Sequence, residues 1–451
     1  MGGAERARLM ESVKAGRRSA RDRRPATVAE APVAAKKKAF DFKDLPQVKQ
    51  LQMHRAAADM IGIENPFFRP HDGLAAGTTQ IDGRAHDNFA SYNYLGLNGH
   101  PEVNAAAVAA LGTFGTSVSA SRIVAGERPL HGRLEAALAD VHGVEAAIVM
   151  VSGHATNVTT IGHLMKKGDL VLTDTLVHNS IAEGVRLSGA TRMNFPHDDL
   201  DALESLLAAN RHKFDNVLVI VEGLYSMDGD FPDLRRVVRL KQSYDAWLMV
   251  DEAHSIGVLG KTGRGIAEHF GIDPQEVELW MGTLSKSFSS CGGYIAGSRV
   301  LCDYLKVSAP GFVFSVGLSP ALAGAALASI DLMKREPERV ERLQANGQHF
   351  LKCAREAGLD TGPSAGYSVV PVIVGDSASA AILSNRLLAR GVNALPIIFP
   401  AVPEKSARIR YFITSEHTPE QIERAVVLTA EELSALQNDG KAVDKLIRAA
   451  R

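Results

Sequence analysis

Residues 279–288 read Leu-Trp-Met-Gly-Thr-Leu-Ser-Lys-Ser-Phe. The apolar run Leu279–Met281 reads as a short buried strand, and the small and hydroxyl-bearing residues after it place Lys286 at the strand's end. Such a setting suits a Schiff-base lysine, because partial burial disfavours the ammonium, lowers its pKa and leaves a nucleophilic amine. The competing reading is a solvated surface lysine; the strand end, the phosphate-ready hydroxyls and the spacing from Asp251 weigh against it. The same grammar recurs upstream. Ala146–Val151, Asn216–Val221 and Trp247–Val250 are further apolar runs that each stop at a polar cluster. Between them, Asp198–His212 and Leu234–Tyr244 carry apolar residues at helical spacing. Strand and helix in repeated alternation predict an α/β fold with a mostly parallel sheet covered by helices on both faces. In such a sheet the ligand lies beyond the C-terminal ends of the strands.

Three other strand-end clusters accompany Lys286. Ser152-Gly153-His154 opens a helical stretch, and small residues at a helix N-terminus let backbone N–H groups approach a phosphate, although a tight strand–helix turn uses the same residues. Glu222-Gly223-Leu224-Tyr225-Ser226-Met227-Asp228-Gly229 follows another strand. Asp251-Glu252-Ala253-His254 invites an ATPase reading, which needs a GxxxxGK[ST] phosphate loop. Gly260-Lys261-Thr262 is the nearest match, but Ser255 stands where the first glycine belongs and the segment follows the acids instead of preceding them. The ATPase reading fails.

The chain has 451 residues, 45% hydrophobic and 22% charged, with net charge −1. This composition gives no global bias toward nucleic acid or a membrane surface. Residues 1–40 are an exception at +7, leaving −8 for the rest. They read as a disordered basic extension, with a transit peptide or a docking segment as alternatives. Cys291, Cys302 and Cys353 show no CxxC spacing, which argues against a disulfide scaffold or a zinc site and predicts a cytoplasmic protein. No apolar run reaches the roughly 18 residues of a membrane span. Past residue 335 the pattern changes to a long helical stretch, 338–358, and strands at 368–374 and 407–414. Thr418-Pro419-Glu420-Gln421 reads as a capping box opening a last helix. The expected organisation is therefore an N-terminal arm at 41–95, a large domain at 96–335 and a small α+β domain at 336–451.

Seven stretches together resemble the α-oxoamine synthase family of fold-type I pyridoxal phosphate (PLP) enzymes: SYNYLGL (91–97), SASRIVAGERPLHGRLE (119–135), SGHATN (152–157), EGLYSMDGD (222–230), VDEAHSIGVLG (250–260), GTLSKSFSSCGG (282–293) and IRYFITSEHT (409–418). The resemblance covers about residues 60–435 and implies a seven-stranded large domain with a smaller C-terminal one. It also implies condensation of a small amino acid with an acyl thioester (on coenzyme A or a carrier protein), with loss of carbon dioxide. By that resemblance Lys286 carries PLP, Asp251 meets the pyridine nitrogen, His254 meets the ring hydroxyl and His178 stacks on the ring. Ser152, Gly153, His154 and Thr283 contact the phosphate or ring, and Ser226 lies near the ring hydroxyl. Arg410 grips the substrate carboxylate, and Tyr92 and Asn93 border the substrate. Ser315 reaches the phosphate of a second subunit in a homodimer, although Val316 replaces the second hydroxyl common in relatives. Tyr92-Asn93-Tyr94 and GTLSKSFSSCGG are most like the serine palmitoyltransferase branch, so L-serine and a long-chain acyl-CoA are the expected substrates. Alanine or glycine, or a carrier-bound acyl group as in 8-amino-7-oxononanoate synthase, is the alternative. An aminotransferase and a non-catalytic regulatory subunit are further alternatives, the latter opposed by the presence of Lys286.

Overall fold

The computed structural model describes residues 41–60 and 63–449; the expected basic extension lies outside the described residues. Residues 41–60 hold a 3-10 turn, Phe42–Asp44, and the helix Pro46–Met60. The remainder opens with the hairpin β1 (Thr78–Ile81) and β2 (Arg84–Asn88). Seven strands follow: β3 (Ala146–Met150), β4 (Leu170–Asp174), β5 (Thr191–Phe195), β6 (Val217–Glu222), β7 (Trp247–Asp251), β8 (Leu279–Thr283) and β9 (Gly293–Gly297). They form one sheet in the order β3-β9-β8-β7-β6-β4-β5. Only β9 runs against its neighbours β3 and β8; every other pair is parallel. The expected mostly parallel sheet is present. β9 has no long β-branched run to announce it, since glycines bound Tyr294-Ile295-Ala296.

Burial on both faces explains why the central strands are continuously apolar. In β6, Val217, Val219 and Val221 pack into one core cluster, with Leu203, Leu207 and Val237 from the helices Leu200–Asn210 and Leu234–Ser243. Leu218 and Ile220 face the opposite cluster, with Ile161 and Ile181 from the helices Gly153–Leu164 and Asn179–Ser188. Alternate side chains thus serve two cores, each fully buried one contributing about 1.5–3 kcal/mol. Strands β3, β4, β6, β7 and β8 run the same way. Their last residues, Met150, Asp174, Glu222, Asp251 and Thr283, therefore emerge along one edge of the sheet.

Past residue 335 lie β10 (Val369–Gly375), β11 (Val392–Asn393), β12 (Leu395–Ile397) and β13 (Ala407–Phe412). β10, β13 and β12 form an antiparallel sheet, whereas β11 pairs with β2. The segment expected as an N-terminal arm thus shares a sheet with the C-terminal region. The capping box is in place: Thr418 N–H donates to Gln421 Oε1 at 3.0 Å, and Gln421 N–H donates to Thr418 Oγ1 at 3.3 Å, at the start of the helix Pro419–Ala449. Replacing Thr418 by Ala removes one half of this exchange. Equilibrium denaturation should show a loss of about 1 kcal/mol, and an unchanged midpoint would mean the cap contributes nothing.

Candidate active site

The strand ends converge on a cavity of about 310 Å³ whose wall includes Lys286, Asp251, His178, His254, Gly153 and Thr283. Asp251, the last residue of β7, is buried and doubly held: Oδ2 accepts from Asn157 Nδ2 at 2.8 Å and Oδ1 from the Ala253 N–H at 2.9 Å. Asn157 also donates to Ser180 Oγ at 2.9 Å, so one amide joins the helix after β3 to the helix after β4 beneath the acid. Across the sheet, Glu222 is the register partner of Asp251 and lines the same cavity. Burial, reinforced by the neighbouring Asp251, pushes Glu222 well above the usual carboxylate range. Two adjacent buried acids resist carrying two charges.

Lys286 enters the cavity from the loop after β8. Burial pushes its amine down to about 8, although the charges of Asp251 and Glu222 pull the other way. The amine sits 6.0 Å from the ring centre of Tyr92, which itself packs edge-on against Phe412. His178 caps the helix Asn179–Ser188, and its Nδ1 lies 2.7 Å from Ser180 Oγ while its backbone N–H donates to Glu222. Its ring meets His154 nearly perpendicularly, with centres 6.2 Å apart. His254 lies 2.7 Å from the Tyr94 hydroxyl through Nδ1. Burial lowers the basicity of His178 and, more strongly, of His254, so both imidazoles are neutral at physiological pH. Ser152 caps the helix at Gly153 by accepting from the Ala155 N–H. A Cβ at Gly153 would come within 2.9 Å of Thr283 Oγ1, so only glycine leaves the helix N-terminus open at this wall. Thr283 Oγ1 is 2.8 Å from Ser285 Oγ, a second hydroxyl on the same wall.

Four expected site residues are not on this cavity's wall: Asn93, Ser226, Ser315 and Arg410. Asn93 is buried with its amide spent on its own loop: Oδ1 accepts from Leu97 N, Asn98 N and Ser289 Oγ, and Nδ2 donates to Ala75 O. These bonds fix the turn that presents Tyr92. Ser226 offers its carbonyl, which accepts from Arg410 Nη1 at 3.0 Å, and it is not on the cavity wall. Ser315 lies away from this cavity, beside Arg122 and Val149. Arg410 is seated by Ser226 O and by the ring of Phe412, 4.5 Å from its guanidinium, and has no carboxylate partner among the described residues. Arg408, two residues before it on β13, is by contrast paired with Asp228 at 2.5 Å. Sequence reasoning passed over Asn157, Glu222 and Tyr94, although each stands within a stretch it quoted. For Glu222 the available signal was an acid closing a wholly apolar strand.

The family model of aminotransferase class I and II matches residues 87–427. The 8-amino-7-oxononanoate synthases of Symbiobacterium thermophilum and Treponema denticola are 41% and 40% identical to the chain. The matches cover 87% and 84% of this chain, and 97% and 94% of those proteins. The solved structure of Sphingomonas wittichii serine palmitoyltransferase superposes with a TM-score of 0.84 at 29% identity, covering 88% of this chain and 99% of that one. The chain belongs to the α-oxoamine synthases. Its cofactor is pyridoxal phosphate, and the cavity fits that group. The α-oxoamine synthase fold brings a depressed lysine amine, a buried acid and an open helix N-terminus to one cavity. Asn157 Oδ1 is buried there without a partner, and the Gly153 position would be filled by any side chain. Among the described residues of this synthase, no helix is long and apolar enough to cross a membrane.

The amine of Lys286 gives a pH test in the cofactor-free protein. Its reaction with an amine-directed aldehyde should reach half its maximum near pH 8, the neutral form predominating above that value. A midpoint near the ordinary lysine value of about 10.4 would show that the amine is solvated.

Proposed function

We propose that this synthase joins L-alanine to an acyl thioester, with Lys286 as the proton acceptor at Cα and Arg410 as the carboxylate anchor. The observation that carries the reading is Arg410: a guanidinium oriented by Ser226 O and Phe412, beside the site yet without an acid of its own. A substrate carboxylate supplies the missing partner through charge-assisted hydrogen bonds. Fixing that carboxylate orients one Cα bond for reaction. Pyridoxal phosphate, when bound, supplies the electron sink for negative charge at Cα. Asp251, held by Asn157 and Ala253, would meet the ring nitrogen. His178 would cover a ring face, and His254, oriented by Tyr94, would meet the ring hydroxyl. Lys286, whose amine is largely neutral above about pH 8, takes the Cα proton as general base. In the net reaction a bond forms between Cα and the acyl carbonyl carbon, the thiol departs, and the amino-acid carboxylate leaves as carbon dioxide.

The choice of alanine over the serine expected from the motifs rests on the relatives. In 8-amino-7-oxononanoate, C9 is a methyl group and C8 carries the amine beside the C7 ketone, so the amino acid contributes a methyl-bearing Cα. Relatives bearing that name reach 41% identity over nearly their whole length. Serine stands as the second reading, favoured by the close superposition on serine palmitoyltransferase. Alanine, serine and glycine, each crossed with acyl-CoA and acyl-carrier donors and analysed by mass spectrometry, decide between them. The alanine-derived amino ketone should dominate. A serine-derived product as the main species would reverse the order, and stoichiometric conversion of the cofactor to its amine form by amino acid alone would make the protein an aminotransferase.

We also propose a homodimer, divided within each chain into a large domain at 96–335 and a small one at 336–451. The placement of Ser315 away from its own chain's cavity supports a role for the 312–316 segment toward a second copy. Light scattering should return twice the chain mass, and a fully active monomer would contradict the proposal.

A further inference from the structure

His197 lies outside the cavity wall, yet its ring ties the loop that carries His178 to the turn that seats Arg410. The residue follows β5. Nδ1 lies 3.0 Å from Asp174 Oδ2, and Nε2 lies 2.9 Å from Asp230 Oδ2. A ring with a carboxylate at each nitrogen donates from both, which requires the imidazolium form. Burial works against that charge, but the two acids outweigh it and hold His197 up to about 10. The acids are committed in turn. Asp174, the buried last residue of β4, accepts from Leu176 N–H at 2.7 Å and from Asp198 N–H at 2.9 Å. Leu176 starts the short loop that ends at His178. On the other side, the Asp230 carbonyl accepts from Tyr225 N–H at 2.8 Å, and Gly229 N–H returns to the Tyr225 carbonyl at 2.9 Å. That closed turn contains Ser226, whose carbonyl seats Arg410, and Asp228, which pairs with Arg408.

We propose that His197 is a positioning residue: its imidazolium, bonded to Asp174 and Asp230, sets the spacing between the loop of His178 and the turn that seats Arg410. The inference rests on the reading of Arg410 as the carboxylate anchor. Without the cation, Asp174 and Asp230 face each other across a partly buried gap, and like charges there drive the two loops apart. Of the groups set to hold the cofactor, Lys286, Asp251 and the helix at Gly153 do not pass through either loop; only His178 does. Displacement should therefore fall on recognition of the amino-acid carboxylate more than on cofactor loading.

The test uses the PLP-loaded protein and two ligands, L-alanine and ethylamine, the same skeleton without its carboxylate. Kd for each is read from the cofactor's absorbance, alongside the cofactor's own Kd and the melting temperature. In the wild type alanine should bind more tightly than ethylamine. His197→Gln should reduce that preference about tenfold, a loss of roughly 1.4 kcal/mol in discrimination, with cofactor affinity nearly unchanged. Asp230→Asn, which keeps the histidine and removes one anchor, should move the preference in the same direction and serves if the first variant does not fold. A lower melting temperature with the alanine-to-ethylamine preference intact would overturn the inference, reducing His197 to a scaffold residue. Absence of any preference in the wild type would instead remove the carboxylate role of Arg410 itself.

Discussion

The register between β6 and β7 sets Glu222 beside Asp251 at the buried edge of the sheet, and the site's electrostatics follow from that pairing. The sheet cannot hold two free anions there. Asp251 receives the Asn157 amide and the Ala253 N–H. Glu222 receives the His178 N–H, but burial and the adjacent acid favour its protonation. The two acids face a cavity in which Lys286, His178 and His254 have all been made less basic by burial. A depressed lysine can exchange a proton near neutral pH, whereas a solvated lysine would stay charged.

The same edge shows why secondary structure and catalysis are not separable here. Asp174, Glu222, Asp251 and Thr283 are all terminal strand residues, with apolar neighbours buried on both faces just behind them. Each side chain is thereby held on a rigid element, and the loops after the strands carry residues that reach further into the cavity, among them His178, His254 and Lys286. Where a loop must be exact in position it is tied by charge, as Arg408 ties Asp228 and His197 ties Asp230. Such ties cost desolvation and stabilise little by themselves; their effect is to select one loop geometry.

Much of this was legible in the sequence because strand-end chemistry has a local signature. Lys286, Asp251, His254 and Ser152–Gly153 each follow an apolar run, and the capping box at Thr418 is a four-residue pattern whose two hydrogen bonds the structure contains. Asn93 and Ser226 were legible as members of quoted stretches but not as to their task. Asn93 directs its amide inward because Leu97, Asn98 and Ser289 converge on it, a fact about the fold of a loop and not about its spelling. Glu222 and His197 act through partners 23 or more residues away in the chain, so no short window of sequence contains their chemistry. β9 was missed because its glycines give no periodic signal, and its place in the sheet is set by pairing with β3 and β8.

The substrate is the instructive case. In the proposed reaction Arg410, Lys286 and Asp251 would engage the carboxylate, the Cα proton and the cofactor ring, which are common to every amino acid the family could use. Motifs built from them therefore identify the reaction without its substrate. Serine and alanine differ by one hydroxyl, and a pocket not built around that group separates such pairs by about a hundredfold at most. That margin can be set by packing spread over many residues, none of them in a motif. Resemblance at SYNYLGL and GTLSKSFSSCGG pointed to serine, whereas identity of about 40% along nearly the whole length of the relatives points to alanine. The second signal samples the whole wall of the site, and for a choice worth so little free energy at any one position it is the better guide.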